Sequence, residues 1–472
     1  MFRWLAALLT LLALAAGVAY VVAGRGVPPR VTINQPARFI GQSGSLDVTA
    51  EAPNARFTTL AIVLEQNGRT VPLFALDNRQ QATVSPVDRH QLRISRPLGK
   101  QSVPELHAGS ARIVVTATRP SFLTLRQLTS TASKDVQVRL EPPRIAVVST
   151  KHYVNHGGSE MVIYRATPAD AASGVRVGDI EYRGFPASGA GIGVTSPDRG
   201  ARAPGVNNDL NVAFFAVLHD QDLRAPIAAF VRDEAGNEAK ATFIDNVFPK
   251  PFKKSRIELD DTFIGRVVPE IVEHSPELNM TAPAQGSPEM IAAFVKVNGD
   301  LRKINADHIS AFAARTSPNK LWDGPFVQLG NSQVEASFAD RRTYFYKGKE
   351  VDRQTHLGFD LAVTSRVAVV AANAGTVLHA SWLGIYGKCV ILDHGMGVQS
   401  LYGHLSSFDV KVGDTVTRGQ TMGRSGMTGL AGGDHLHFTM LVDGRMVTPV
   451  EWWDAHWIAD RVQRKLDEAR SK

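Results

Sequence analysis

His435-Leu436-His437-Phe438 alternates two imidazoles with two apolar side chains. In a strand, side chains two apart share a face, so His435 and His437 point together while Leu436 and Phe438 point into a core. The pair alone decides little: with 14 histidines in 472 residues, about 0.4 H-x-H pairs arise by chance. Its neighbourhood adds weight, because seven of the 14 histidines fall between His356 and His456. Upstream lie His356-Leu357-Gly358-Phe359-Asp360 and Tyr402-Gly403-His404-Leu405-Ser406. His356 and Asp360 are four apart, a helical spacing too. Gly358 between them and Leu361-Ala362-Val363 after them favour a bend entering a strand, which again sets both side chains on one side.

Two imidazoles and a carboxylate suit zinc and leave one tetrahedral position for water, the arrangement of catalytic sites. Bound zinc lowers the pKa of water to about 7 and polarises a carbonyl. The remaining histidines would then serve as base and oxyanion partner. The set H-x-x-x-D, G-H-L-S and H-L-H-F is separated by Val412-Gly413-Asp414-Thr415-Val416 and Gly419-Gln420-Thr421-Met422-Gly423. Over residues 334–450 it resembles the lysostaphin and LytM type of zinc endopeptidase. The resemblance implies a compact antiparallel β-domain cleaving peptide cross-links of bacterial peptidoglycan, with one Zn2+ held by His356, Asp360 and His437. It makes His404 and His435 the catalytic histidines. Asp434 stands where such proteins often carry Pro, and Thr439 where an acidic residue is common, which bears on substrate preference rather than on metal binding.

Around this set, Tyr402 is a candidate for the border of the substrate groove, and Arg341 and Arg342 for meeting an anionic peptide carboxylate. Cys389, in Lys388-Cys389-Val390-Ile391-Leu392, reads as an inert core thiol. His394 reads as structural, and His379 and His456 have no role. A cupin is excluded because no glutamate follows His437 within Thr439 to Val442. A biotinyl or lipoyl carrier is excluded because no lysine sits at a tight turn after Val412 to Val416. The alternative function is a LytM-like module that no longer cuts but recruits or activates another wall hydrolase.

Working outward, residues 334–455 are the expected peptidase domain and residues 456–472 a charged surface helix. Residues 248–333 read as a helical connector: Ser287-Pro288 opens a helix with Ile291, Phe294 and Val295 on one face, Asn298-Gly299 stops it, and a second run spans Ala306 to Ala314. Its position, including Asn331, makes it the candidate restraint on the site. Residues 27–141 and 142–247 carry short alternating runs such as Ser45–Ala50, Ala61–Leu64, Ala111–Thr116 and Val136–Leu140, expected as two tandem immunoglobulin-like β-sandwiches. Pro28-Pro29-Arg30-Val31-Thr32-Ile33 recurs in outline as Pro142-Pro143-Arg144-Ile145-Ala146-Val147. Ile227–Arg232 and Ala239–Ile244 form a hairpin around Asp233-Glu234-Ala235-Gly236-Asn237.

Residues 1–25 contain an uncharged run from Trp4 to Ala23, long enough as a helix to span about 30 Å. This reads as a transmembrane signal-anchor rather than a signal peptide cut after Ala15 or Ala23, and sets the bulk of the chain outside the inner membrane, in the periplasm or cell-wall space. The fold class is therefore mainly β. Hydrophobic residues at 44% and charged residues at 21% rule out wholesale disorder and a multi-span membrane protein. The net charge of +7 is dilute, and nucleic acid is not an expected partner. Expected partners are peptidoglycan cross-links, the membrane, and an envelope protein met by the β-modules.

Overall fold

Alternation in the first quarter of the chain builds two sheets over one core. The computed structural model describes residues 2–470, apart from 25, 54, 80, 122, 123, 125 and 193–208. In one sheet the order is Arg30–Gln35, Ser45–Glu51, Gln91–Pro97 and Thr83–Pro86, and in the other Phe39–Ile40, Gln127–Val138, Gly109–Pro120, Thr59–Gln66 and Arg69–Ala75. Leu46, Val48 and Ala50 face Leu60, Ile62, Leu64, Ile113, Val115 and Ala117 in a single buried cluster, the period-two pattern that a strand with one dry face requires. Val136 and Val138 end their strand, which begins nine residues before Val136, at Gln127. A helix, Phe2–Gly24, precedes these sheets; its segment Trp4–Val22 is long and apolar enough to cross a membrane, a test that a signal sequence also passes.

The chain divides into two compact units, and the second holds most of residues 144–248 together with everything after them. The recurrence of the Pro-Pro-Arg pattern is visible as two strands, Arg30–Gln35 and Arg144–Val147. After Arg144 the strands again form two four-stranded sheets, Arg144–Val147, Ser159–Thr167, Leu210–Ala216 and Phe185–Pro186 in one and Ile180–Arg183, Ala172–Val177, Ile227–Arg232 and Glu238–Thr242 in the other, and this region also packs with the carboxy-terminal residues. Glu451 is buried and accepts hydrogen bonds from the Ser159 backbone N–H at 2.7 Å and from Asn155 Nδ2 at 2.8 Å. Trp452 Nε1 donates to Ser159 Oγ at 3.0 Å, and its ring packs among Phe214, Trp322 and Phe326. Lys465 donates to Glu160 Oε1 at 2.8 Å with both side chains 0% exposed. The carboxy-terminal helix, expected as a solvated charged surface, thus buries one of its charges, since a carboxylate from the strand Ser159–Thr167 is there to meet it.

The carboxy-terminal sheet runs Gln333–Ala336, Phe359–Ala362, His435–Val442, Val398–Leu405, Lys388–Gly395, Gly375–Trp382 and Thr415–Val416, with Arg445–Val447 also pairing to His435–Val442. Its pairs are antiparallel. Cys389 lies buried in this sheet, where burial pushes its thiol well up. Residues 248–333 are not wholly helical: Lys254–Leu259 pairs in parallel with Asp340–Tyr346, which pairs with Lys349–His356. Nor does Asn298-Gly299 end a helix. Glu289–Lys296 continues through a π turn, Val297–Leu301, into Arg302–Ala311, because the extra residue of a π turn absorbs the glycine without breaking the backbone hydrogen bonding.

Two outcomes follow. Lys465→Met removes the buried cation nearest Glu160, leaving only the more distant Arg461 at 3.8 Å, and lowers stability by about 3 kcal/mol, much of it recovered by adding Glu160→Leu; urea unfolding of the single and double variants reads this. Burial pushes the Glu451 carboxyl up to about 7 against its hydrogen bonds to Asn155 and Ser159. The native state therefore holds a proton that the unfolded chain has released, so this contribution to stability is complete below about pH 4.5 and is lost as pH rises through about 7. Glu451→Gln should narrow the difference in melting temperature between about pH 5 and about pH 8.

Candidate metal centre

The register places the centre. Asp360 pairs with His437 and Ala362 with His435 across two antiparallel strands, and Gly403 pairs with His437 on its other side. His356 ends the strand Lys349–His356, opposite Asp340. His356 Nε2 lies 2.9 Å from Asp360 Oδ1 and 3.0 Å from His437 Nδ1, and His437 Nδ1 lies 3.1 Å from Asp360 Oδ1. The edges of a tetrahedron with bonds of about 2.0–2.1 Å are about 3.3–3.4 Å, so a small expansion would turn these three atoms into a ligand face.

The protons point the same way. His356 Nδ1 faces the Ser337 carbonyl at 3.3 Å, and an N–H donated there leaves Nε2 with a lone pair toward the cluster. Burial would raise the Asp360 carboxyl, but its interactions with the imidazoles of His356, His435 and His437 hold it well below the usual carboxylate range. Asp360 is thus an anion with Oδ1 turned to the cluster, while Oδ2 accepts from Arg342 Nη2 at 3.0 Å. Two neutral imidazoles and a carboxylate converging on one point fit a zinc-type cation. Gly358 makes the approach: a Cβ there would stand 2.5 Å from Cε1 and Nε2 of His437.

His404 and His435 flank the trio, with ring centroids 4.8 Å apart. His404 Nδ1 donates to the Thr428 carbonyl at 2.8 Å and His435 Nδ1 to that of Gly433 at 2.9 Å, which fixes both tautomers and leaves each Nε2 for the site. Burial, with His435 and His437 nearby, holds His404 well below the ordinary imidazole pKa. Burial acts on His435 in the same direction, but its hydrogen bond and attraction to Asp360 outweigh this and raise it. The surroundings thus push the two rings in opposite directions, His404 toward the neutral form and His435 toward the protonated one. His404 has φ +62°, a left-handed conformation costing a β-carbon residue about 1–2 kcal/mol.

These residues line a cavity of about 390 Å3 whose far wall comes from residues 248–333: Ile257, Leu259, Phe263, Phe294 and Arg302. The helix Asp261–Glu273 also holds the loop before His435, through Arg266 to the Ala431 carbonyl at 2.5 Å and the Gly429 N–H to Glu270 at 3.3 Å. Asn331 is exposed and is not among the lining residues. Of the three residues expected at the substrate, Arg341 is exposed and does not line the cavity, and Arg342 lines it but is engaged by Asp340 and Asp360. Tyr402 does not line it; the ring is buried and its hydroxyl is satisfied by the Ala372 N–H at 2.8 Å and Ser400 Oγ at 3.0 Å. His394 is likewise in the core, between the Ala374 carbonyl and Ser400 Oγ, and burial lowers it to about 4. Tyr386 packs on the His437 ring at 5.3 Å. Neither it nor Arg302 carries a sequence signal, because only the tertiary fold brings them to the histidines.

Residues 354–449 match peptidase family M23. An uncharacterized metalloprotease of Haemophilus influenzae is 40% identical over 120 residues, 25% of each chain. The peptidoglycan DD-endopeptidase ShyA of Vibrio cholerae is 28% identical over 161 residues, 34% of each chain. The murein hydrolase activator EnvC of Escherichia coli is 36% identical over 95 residues, 20% of this chain and 23% of its own. The chain thus spans between about a fifth and a third of the length of these curated relatives.

Gly358→Ala keeps every ligand but drives a methyl group into the His437 ring. Chelator competition should show metal affinity falling at least about 10-fold, the scale seen when a ligand's support is disturbed.

Proposed function

From a carboxy-terminal domain of peptidase family M23, we propose that this chain is a zinc-dependent endopeptidase that hydrolyses peptide cross-links of bacterial peptidoglycan. The observation that carries the reading is the convergence of His356, Asp360, His404, His435 and His437 on one cavity, each with a nitrogen or oxygen left for the site. The name of ShyA supplies the substrate class. The metal would be held by His356, Asp360 and His437, and zinc there supplies Lewis acidity toward water and the scissile carbonyl. His404 accepts a proton from the attacking water at Nε2 and later passes it to the leaving amine. His435 donates from Nε2 to the oxygen on which negative charge develops. The helix Phe2–Gly24 would anchor the chain in the inner membrane, and the sheets of the first unit would meet an envelope partner or space the enzyme from the bilayer.

A second reading has one observation in its favour. The four histidines are only 4 to 8% exposed beneath the wall from residues 248–333, and EnvC is named an activator, so the chain would recruit another hydrolase without cutting.

Mass spectrometry of muropeptides from cross-linked sacculi, treated with detergent-solubilised full-length protein, separates the two. The peptidase reading expects dimers converted to monomers, with His404→Ala slower by about 100-fold or more and chelator abolishing the conversion. Intact dimers in the presence of bound zinc would shift the assignment to recruitment.

A further inference from the structure

The wall of the cavity carries a cation that, among the described residues, no carboxylate neutralises. Arg302 lines the same space as the five site residues, and its guanidinium is held by neutral oxygens, Nε to the Asn298 carbonyl at 3.0 Å and Nη2 to Asn298 Oδ1 at 2.7 Å. Asn298 is fully buried and is itself oriented by donation from Nδ2 to Asp352 at 2.8 Å, which turns Oδ1 toward Arg302. The π turn Val297–Leu301 sets this geometry immediately before Arg302.

The other charges of the cavity are already engaged. Arg342 is paired with Asp340 and Asp360, Glu258 with Arg256 at 2.5 Å, and Asp260 accepts from the Phe263 N–H at 2.7 Å. Among the described residues no carboxylate pairs with Arg302. A half-buried guanidinium held in place by its own helix, with no anion beside it, is prepared for an anion that arrives with the ligand. Tyr386 lines the same cavity and packs on the His437 ring at 5.3 Å, so Arg302 and the metal centre open onto one space.

We propose that Arg302 is a specificity-determining residue that binds a free carboxylate next to the scissile amide. This rests on the peptidase reading and narrows it. In a cross-link from D-alanine to diaminopimelate, the carbon bearing the leaving nitrogen carries its own carboxylate. In a glycine bridge it does not. Arg302 therefore selects the first kind of link.

The test uses full-length protein and two synthetic cross-linked peptides, identical except that this carboxylate is free in one and a primary amide in the other. Wild type should favour the free acid by about 10- to 100-fold in kcat/KM, the scale of a hydrogen-bonded charge in a partly buried site. In Arg302→Gln the ratio between the two peptides should collapse toward one, and Arg302→Lys should restore part of it. Fluorescence anisotropy of labelled acid and amide peptides reads the same preference without turnover. Wild type indifferent to amidation in binding, or an Arg302→Gln variant weakened equally toward both peptides at unchanged zinc content, would overturn the proposal. Discrimination in binding with no cleavage of either peptide would leave Arg302 in its role and remove the peptidase reading instead.

Discussion

The antiparallel pairing of Phe359–Ala362 with His435–Val442 is the contact on which the site depends. It sets Asp360 opposite His437 and Ala362 opposite His435. A slip of one residue would turn the carboxylate to the other face, since side chains alternate along a strand. Burial of Leu361 on the strand of Asp360 opposes the slip, because a shifted register would turn it out of the core. The same apolar side chains that make the core thus aim the polar ones. His356 joins from a separate three-stranded sheet, so the metal site also ties two sheets together.

What could be read from the sequence is what strand periodicity controls. The face shared by His435 and His437, the bend at Gly358 and the alternating core of residues 27–141 each follow from local spacing. Tyr402 shows the limit: its position in the chain gives a face of the strand, but only the packed sheet reveals that Ala372 and Ser400 take its hydroxyl. Asn298-Gly299 shows another, because a turn signal worth about 1 kcal/mol is overridden when tertiary packing of Phe294 and Leu301 sustains the helix across it. Arg302, Tyr386 and Lys465 were beyond reach for a simpler reason: each acts on residues distant in sequence, and no pattern within its own segment points to them.

Residues 248–333 change character in this light. They supply a strand to the peptidase side, a wall to the cavity and two hydrogen bonds that hold the loop before His435. A peptidase sheet with that wall is a deeper and more charged container than the sheet alone, so the shape that meets a substrate is composed of two stretches of chain and not of the family-matched stretch by itself.

The buried pair of Lys465 and Glu160 adds a matter of timing. The partners are 305 residues apart, and until the later one is made, the earlier carboxylate has only the nearby backbone N–H groups of Tyr153 and Met161 to meet it. The second unit is therefore locked by a contact between its early and late segments, and that contact forms only after the histidine cluster has been synthesised. A body closed this way ties the setting of the metal site to the packing of the strands and helix around it.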